Sequence, residues 1–133
     1  MKSLFTSNYA RAGANPNALA ISAKAPPWYQ GKTFPLLAPT WDILHAYKRG
    51  EIDQDEYIRR YLLLLKKRKL TPDSVVEMLP DGAILLCYEK PSDFCHRRIV
   101  ADWIELETDI KVNELLLEKE KPKRSIVDDL FQF

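Results

Sequence analysis

The stretch from Ala83 to Trp103 constrains the fold more than any other part of the chain. It begins with a short apolar run after the turn dipeptide Asp81-Gly82, passes through a polar loop, and ends in apolar residues at helical spacing. A run of this kind is typical of a strand buried on both faces, as in a parallel sheet covered by helices. The stretch therefore predicts a single three-layer α/β domain with a mainly parallel sheet flanked by helices.

Side chains capable of catalysis crowd around the loop between this strand and this helix. The candidate catalytic residues are Cys87, Glu89, Cys95, His96 and Arg97. Ligands of open parallel sheets bind beyond the carboxyl ends of the strands, and a helix N-terminus there attracts anions. With Ser92 or Asp93 as N-cap, Cys95 lies in the first helical turn, where a thiolate is favoured. Arg97 can bind an anion through two parallel hydrogen bonds, and Glu89 can serve as a base or a metal ligand.

Each of these residues also has a structural interpretation. Cys87 can be a small buried hydrophobe, His96 can hydrogen-bond a backbone carbonyl, and Arg97 can pair with a carboxylate. Their common position at one strand-to-helix junction favours a functional site. No secretion signal is expected from the first residues, so we predict a cytoplasmic protein with reduced thiols rather than a structural disulfide.

The segment LLCYEKPSDFCHRRIVADWI resembles the signature of the YeaO-like proteins, the domain-of-unknown-function family 488. That signature is a strand ending in Leu-Leu-Cys-x-Glu, a short loop, and Cys-His-Arg at the start of a helix. The matching residues are Leu85, Leu86, Cys87, Glu89, Cys95, His96 and Arg97. The resemblance extends over roughly Ser3 to Leu115. It implies an α/β domain with a cysteine-rich site and implies no particular reaction.

Further candidate ligand-binding residues come from the first part of the chain. Ser3 to Tyr9 is predicted to be a first strand, and Ala18 to Ala23 a second. If the first strand lies parallel to the Ile84 strand, its last residues reach the same edge as Cys87. A proline-stiffened loop from Lys24 to Pro39 could form a lid or cover the core. The candidates are Thr6, Ser7, Asn8, Tyr9, Ser22 and Trp28, although Ser7 and Ser22 could simply be turn hydroxyls.

The composition changes near the C-terminus. We predict an α/β domain over residues 1–117, a charged linker over 118–124 and an apolar and acidic interaction tail over 125–133. The tail resembles the C-terminal peptides by which proteins of T-even-type phages hold their replication sliding clamp. The residues that carry this likeness are Ile126, Asp128, Leu130, Phe131 and Phe133. The alternative is that the tail packs on its own domain or on a second subunit.

These features favour a protein that binds or processes a nucleotide-like or other anionic ligand, with its reaction and cofactor unassigned. One alternative is an interaction module recruited to DNA replication or repair machinery through the tail. The second is metal binding by Cys87, Cys95 and His96, although adjacent residues are not expected to converge easily on one ion. The Cys-x5-Arg spacing of thiol phosphatases is absent. A net charge of +1 gives no general attraction to nucleic acid, and no apolar run is long enough to cross a membrane.

Overall fold

The computed structural model describes residues 2–89 and 94–115. Its strands are β1 (Leu4–Asn8), β2 (Ala18–Ala20), β3 (Lys32–Thr33), β4 (Ile84–Cys87) and β5 (Val112–Glu114). They form one sheet in the order β3-β2-β4-β1-β5, and every neighbouring pair is parallel. The predicted α/β fold with a mainly parallel sheet is confirmed.

Helices connect these strands, and local sequence explains where they begin. They are α1 (Tyr9–Ala12), α2 (Trp41–Lys48), α3 (Gln54–Lys67), α4 (Pro72–Met78) and α5 (His96–Glu107). Asp53 caps α3 by accepting a hydrogen bond from the backbone N–H of Glu56. Thr71 and Ser74 form a reciprocal capping box around Pro72 at the start of α4.

Strand β4 is the centre of the molecule, and all four of its residues are buried. Leu85 belongs to the larger core, which α2, α3, α4 and α5 cover on one face of the sheet. Ile84 and Leu86 belong to a smaller core on the opposite face, which contains Tyr9 and Ala12 of α1. Successive side chains of a strand point to opposite faces, so helices on both sides explain the continuous apolar run.

The three central strands end at the same edge of the sheet. Asn8 of β1 pairs with Cys87 of β4, so these two strands are parallel neighbours, which was the condition for the first-strand residues to reach the edge of Cys87. On the other side of β4, the backbone N–H of Ile21 donates to the carbonyl of Leu86 just after β2 ends. Gly82 has a positive φ of 83° in the turn that leads into β4, a conformation that glycine adopts without strain.

Several predicted boundaries differ from those of the structure. Helix α5 begins at His96, and Cys95 is its N-cap in an extended conformation rather than a residue of the first turn. The predicted caps Ser92 and Asp93 lie outside the described residues. The proline-rich loop contains the edge strand β3 and a short 3₁₀ helix, Pro35–Leu37. A strand can form there because edge strands tolerate nearby prolines.

The predicted linker and tail also lie outside the described residues, and so do the five residues proposed to bind a sliding clamp. Within residues 2–89 and 94–115, no helix combines the length and the apolar character that a membrane span requires.

Candidate functional site

A cavity of about 560 Å³ lies at the carboxyl edge of the central strands. Its wall is built from the residues that follow β2, from one side of α2, and from the junction between β4 and α5. Cys87 and Glu89 from the end of β4 line it, together with Cys95 and His96 at the start of α5. The cavity therefore lies where parallel sheets ordinarily bind their ligands.

Aromatic side chains form much of the cavity wall. Tyr47, Tyr57 and Phe94 pack against one another, with ring centroids 5.1 to 5.4 Å apart. Burial raises the pKa of Tyr57, and the nearby charge of Glu89 raises it further, so the phenol stays neutral. Trp41 also lines the cavity and is 50% exposed, so its ring is open to solvent.

Two lysines, Lys24 and Lys48, add positive charge to this mainly apolar wall. Lys24 follows β2, whereas Lys48 is the last residue of α2. The hydroxyl of Tyr88, another lining residue, donates to the Lys24 carbonyl over 2.7 Å and joins the two sides of the cavity. The wall thus combines flat rings with cationic groups.

Cys87 and Cys95 are joined in a disulfide, so the prediction of reduced thiols is wrong for this structure. Eight positions separate the two residues in sequence. The end of β4 and the N-cap of α5 bring them together, and their Cα atoms are 7.4 Å apart. Both side chains are almost fully buried, and both residues form part of the cavity wall.

His96 is held in one orientation by a backbone carbonyl. Its Nε2 lies 2.7 Å from the carbonyl oxygen of Ile21, so Nε2 must carry the proton and donate it. The unprotonated Nδ1 then lies toward the Cys95 sulfur, 3.8 Å away. Burial, with a smaller contribution from the Arg97 charge, lowers the pKa of His96 to about 4 despite the carbonyl contact. The imidazole is consequently neutral near pH 7.

Arg97 is fully buried and does not line the cavity. Its guanidinium binds both carboxylate oxygens of Glu114, at 3.0 and 2.8 Å. It also donates to the Cys87 sulfur over 2.8 Å and to the Glu89 carbonyl over 2.9 Å. The structure therefore places Arg97 behind the cysteines, where it supports them, and not at the position expected for direct anion binding.

The residues of the first strand surround the site without lining the cavity. Thr6 donates to Glu114 over 2.6 Å, and the Asn8 side chain donates to the Glu89 carbonyl over 3.2 Å. Ser7 pairs with Leu86, so its side chain lies on the opposite face of the sheet from Cys87. Its buried hydroxyl has no hydrogen-bond partner among the described residues.

The remaining candidates lie partly inside and partly outside the cavity wall; they are Tyr9, Ser22 and Trp28. Ser22 lines the cavity and shares a short hydrogen bond with the Tyr9 hydroxyl. Trp28 contacts the Tyr9 ring edge-on, with centroids 6.5 Å apart, and lies outside the cavity. Of the predicted ligand-binding residues, Ser22 is thus the one that the structure places in the cavity wall.

Sequence reasoning missed the contribution of helices α2 and α3. Trp41, Tyr47, Lys48 and Tyr57 line the cavity, yet their spacing is that of ordinary amphipathic helices. Trp41 at the first position of α2 gives no usable signal either, because single exposed rings are common on protein surfaces.

The fold and the site define a small parallel α/β protein with two cysteines and a histidine on the wall of an aromatic cavity. The family model DUF488-N3a, described as the active DUF488-N3 subclade, matches residues 19–108, which is more than half of the chain. The chain belongs to this DUF488 family, and the resemblance seen in the sequence is confirmed. No curated protein and no solved structure matches the chain.

Proposed function

We propose that the cavity binds a nucleotide-like anionic molecule and presents it to the cysteine and histidine side chains at the carboxyl end of β4. The observation that carries the proposal is the lining of the 560 Å³ cavity, which combines aromatic rings, two lysines, two cysteines and a histidine. Small-molecule sites in proteins commonly have this size and this mixture of apolar wall and few polar groups.

Each part of such a ligand has a matching group in the wall. A flat base can stack on the exposed ring of Trp41 or on the face of the aromatic cluster. A phosphate can pair with Lys24 and Lys48, which act as point charges. Arg97 contributes indirectly, because its bonds to Cys87 and Glu89 fix the wall that the ligand would touch. The family description of an active subclade is compatible with a reaction at this place.

Binding of nucleoside monophosphates, followed by calorimetry and by tryptophan fluorescence, tests the proposal. We expect Lys48→Met and Lys24→Met each to weaken binding roughly tenfold, the loss of about one charge-assisted hydrogen bond. Lys67→Met is the matched control, since Lys67 is an exposed residue of α3 that does not line the cavity. The proposal would be contradicted if the Lys24→Met and Lys48→Met variants bound as tightly as the Lys67→Met control and the wild-type protein. It would also be contradicted if the wild-type protein showed no measurable binding.

A further inference from the structure

We propose that Cys87, Cys95 and His96, in their reduced state, form a zinc site whose open coordination position faces the cavity. The inference concerns these three side chains of the cavity wall and is independent of nucleotide binding. These three residues each offer one donor atom, and all three donors lie within 4.8 Å of one another. Zinc is held at about 2.3 Å from sulfur and about 2.0 Å from nitrogen, so binding one ion requires the two sulfurs to separate after reduction and the three donors to settle roughly 3.5 Å apart.

The sequence argued against metal binding because Cys95 and His96 are adjacent. The backbone conformation at these two residues removes that objection. Cys95 is the extended N-cap of α5, with φ −154° and ψ 145°, whereas His96 is the first helical residue. This change of conformation brings the His96 Nδ1 to 3.8 Å from the Cys95 sulfur. Two ligands of a tetrahedral zinc ion are separated by roughly 3.5 Å, which follows from the bond lengths.

The groups around the three donors are those that metal ligands ordinarily have. The His96 Nε2–H donates to the Ile21 carbonyl, which leaves the Nδ1 lone pair for an ion. Histidine ligands almost always make such a bond through their second nitrogen. Arg97 donates to the Cys87 sulfur over 2.8 Å, and its positive charge offsets the negative charge of a thiolate.

The backbone separation of the cysteines also favours an ion between the sulfurs. Their Cα atoms are 7.4 Å apart, whereas disulfides usually hold Cα atoms about 4.4–6.8 Å apart. The disulfide and the metal site are alternative states of one pair of residues. A dithiol reductant transfers two electrons and two protons to the disulfide, which gives two protein thiols and leaves the reductant oxidised to its own disulfide. Zinc binding then releases those two protons as the thiolates coordinate the ion.

The ligand set and its position specify the type of site. Two sulfurs and one imidazole favour zinc among the common divalent ions, and three protein ligands with one open position are typical of catalytic zinc. All three side chains line the cavity, so the fourth ligand is a water molecule or a group of whatever the cavity binds. A bound ion there would act as a Lewis acid toward that group.

The experiment is a titration of the reduced protein with Co²⁺ and then Zn²⁺, without oxygen and without nucleotide. We expect one ion per chain, a sulfur-to-cobalt charge-transfer band, and displacement of cobalt by zinc. Cys87→Ser, Cys95→Ser and His96→Gln should each weaken binding at least about tenfold. His45→Gln is the matched control, because His45 lies on α2 and is not one of the three donors. A charge-transfer band of equal strength in the Cys95→Ser variant would overturn the proposal.

A second measurement requires no variant and therefore does not depend on variants that fold. Wild-type protein is reduced and alkylated with iodoacetamide in the presence and the absence of Zn²⁺. We expect zinc to slow the modification of Cys87 and Cys95 by tenfold or more, because coordinated thiolates are poor nucleophiles. Equal rates would refute the zinc site, yet they would leave the nucleotide proposal standing, since that proposal is tested by a separate titration.

Discussion

Replacing Arg97 with methionine should be among the most destabilising single changes in this protein. The substitution keeps an apolar chain of similar length and removes the guanidinium. It leaves the Glu114 carboxylate, whose side chain is 13% exposed, without its bidentate partner, and the Cys87 sulfur and Glu89 carbonyl without a donor. Breaking a buried ion pair by removing one partner costs about 3–5 kcal/mol.

This cost can be converted into a shift of the melting temperature. Unfolding entropies of about 2.1 cal/mol/K per residue give roughly 0.28 kcal/mol/K for a chain of 133 residues. A loss of about 4 kcal/mol therefore lowers the Tm by roughly 14 °C. Urea denaturation measures the free energy of unfolding directly, and calorimetry measures the Tm.

Three further variants complete the test. Arg49→Met removes the exposed ion pair with Glu51 and should cost less than about 1 kcal/mol. Glu114→Gln, alone and with Arg97→Met, completes a double-mutant cycle, for which we expect a coupling energy of about 2 kcal/mol or more. A loss below about 1 kcal/mol for Arg97→Met, with no measurable coupling to Glu114, would refute the structural role assigned to this arginine.

Three other predictions concern the rest of the site and the tail. Native His96 has a pKa of about 4 and the unfolded residue has one near 6.5, so the unfolded chain binds more protons between these values. The contribution of neutral His96 to the free energy of unfolding is fully present above pH 6.5 and is lost toward pH 4, by up to roughly 3 kcal/mol. An equally steep loss of the free energy of unfolding in the His96→Gln variant would contradict this. Ser7→Ala should leave the free energy of unfolding unchanged or raise it by about 1 kcal/mol, because the buried hydroxyl has no partner among the described residues, and a clear loss of stability in chemical denaturation would show that it has one. The predicted interaction tail requires that an immobilised phage-type sliding clamp captures the full chain and that deletion of residues 125–133 abolishes this capture without changing the Tm; no capture of the full chain would contradict it, and a lower Tm would favour packing of the tail on the domain.

Local patterns in the sequence predict much of this fold. Helix α2 lies between Thr40 and Gly50, which are typical start and stop residues, and α4 begins at Pro72, because proline is favoured in the first turn of a helix. Strand β4 is recognisable because a short apolar run between a turn and a proline has few other interpretations. The extent of β5 is less predictable, since a three-residue edge strand is defined by its partner rather than by its own residues.

The candidate site is predictable in place and less so in detail. The position of Cys87 and Cys95 at one strand-to-helix junction follows from the order of the elements. The burial of Arg97 cannot be predicted in this way. Its partner Glu114 is 17 residues away on β5, and no periodicity connects the two residues. The cavity wall is equally hard to predict, since the directions in which α2 and α3 leave the sheet depend on tertiary packing.

The position of β4 in the sheet has a consequence for how the chain folds during synthesis. Strands β1 and β2 both pair with β4 and not with each other, so most of the sheet cannot assemble until residues 84–87 have been made. Parallel pairing across such long separations is slow and leaves apolar strands unpaired for longer. We therefore expect nascent chains that end before residue 84 to depend on chaperones. The cysteine that ends β4 is then among the last residues needed to complete the central sheet.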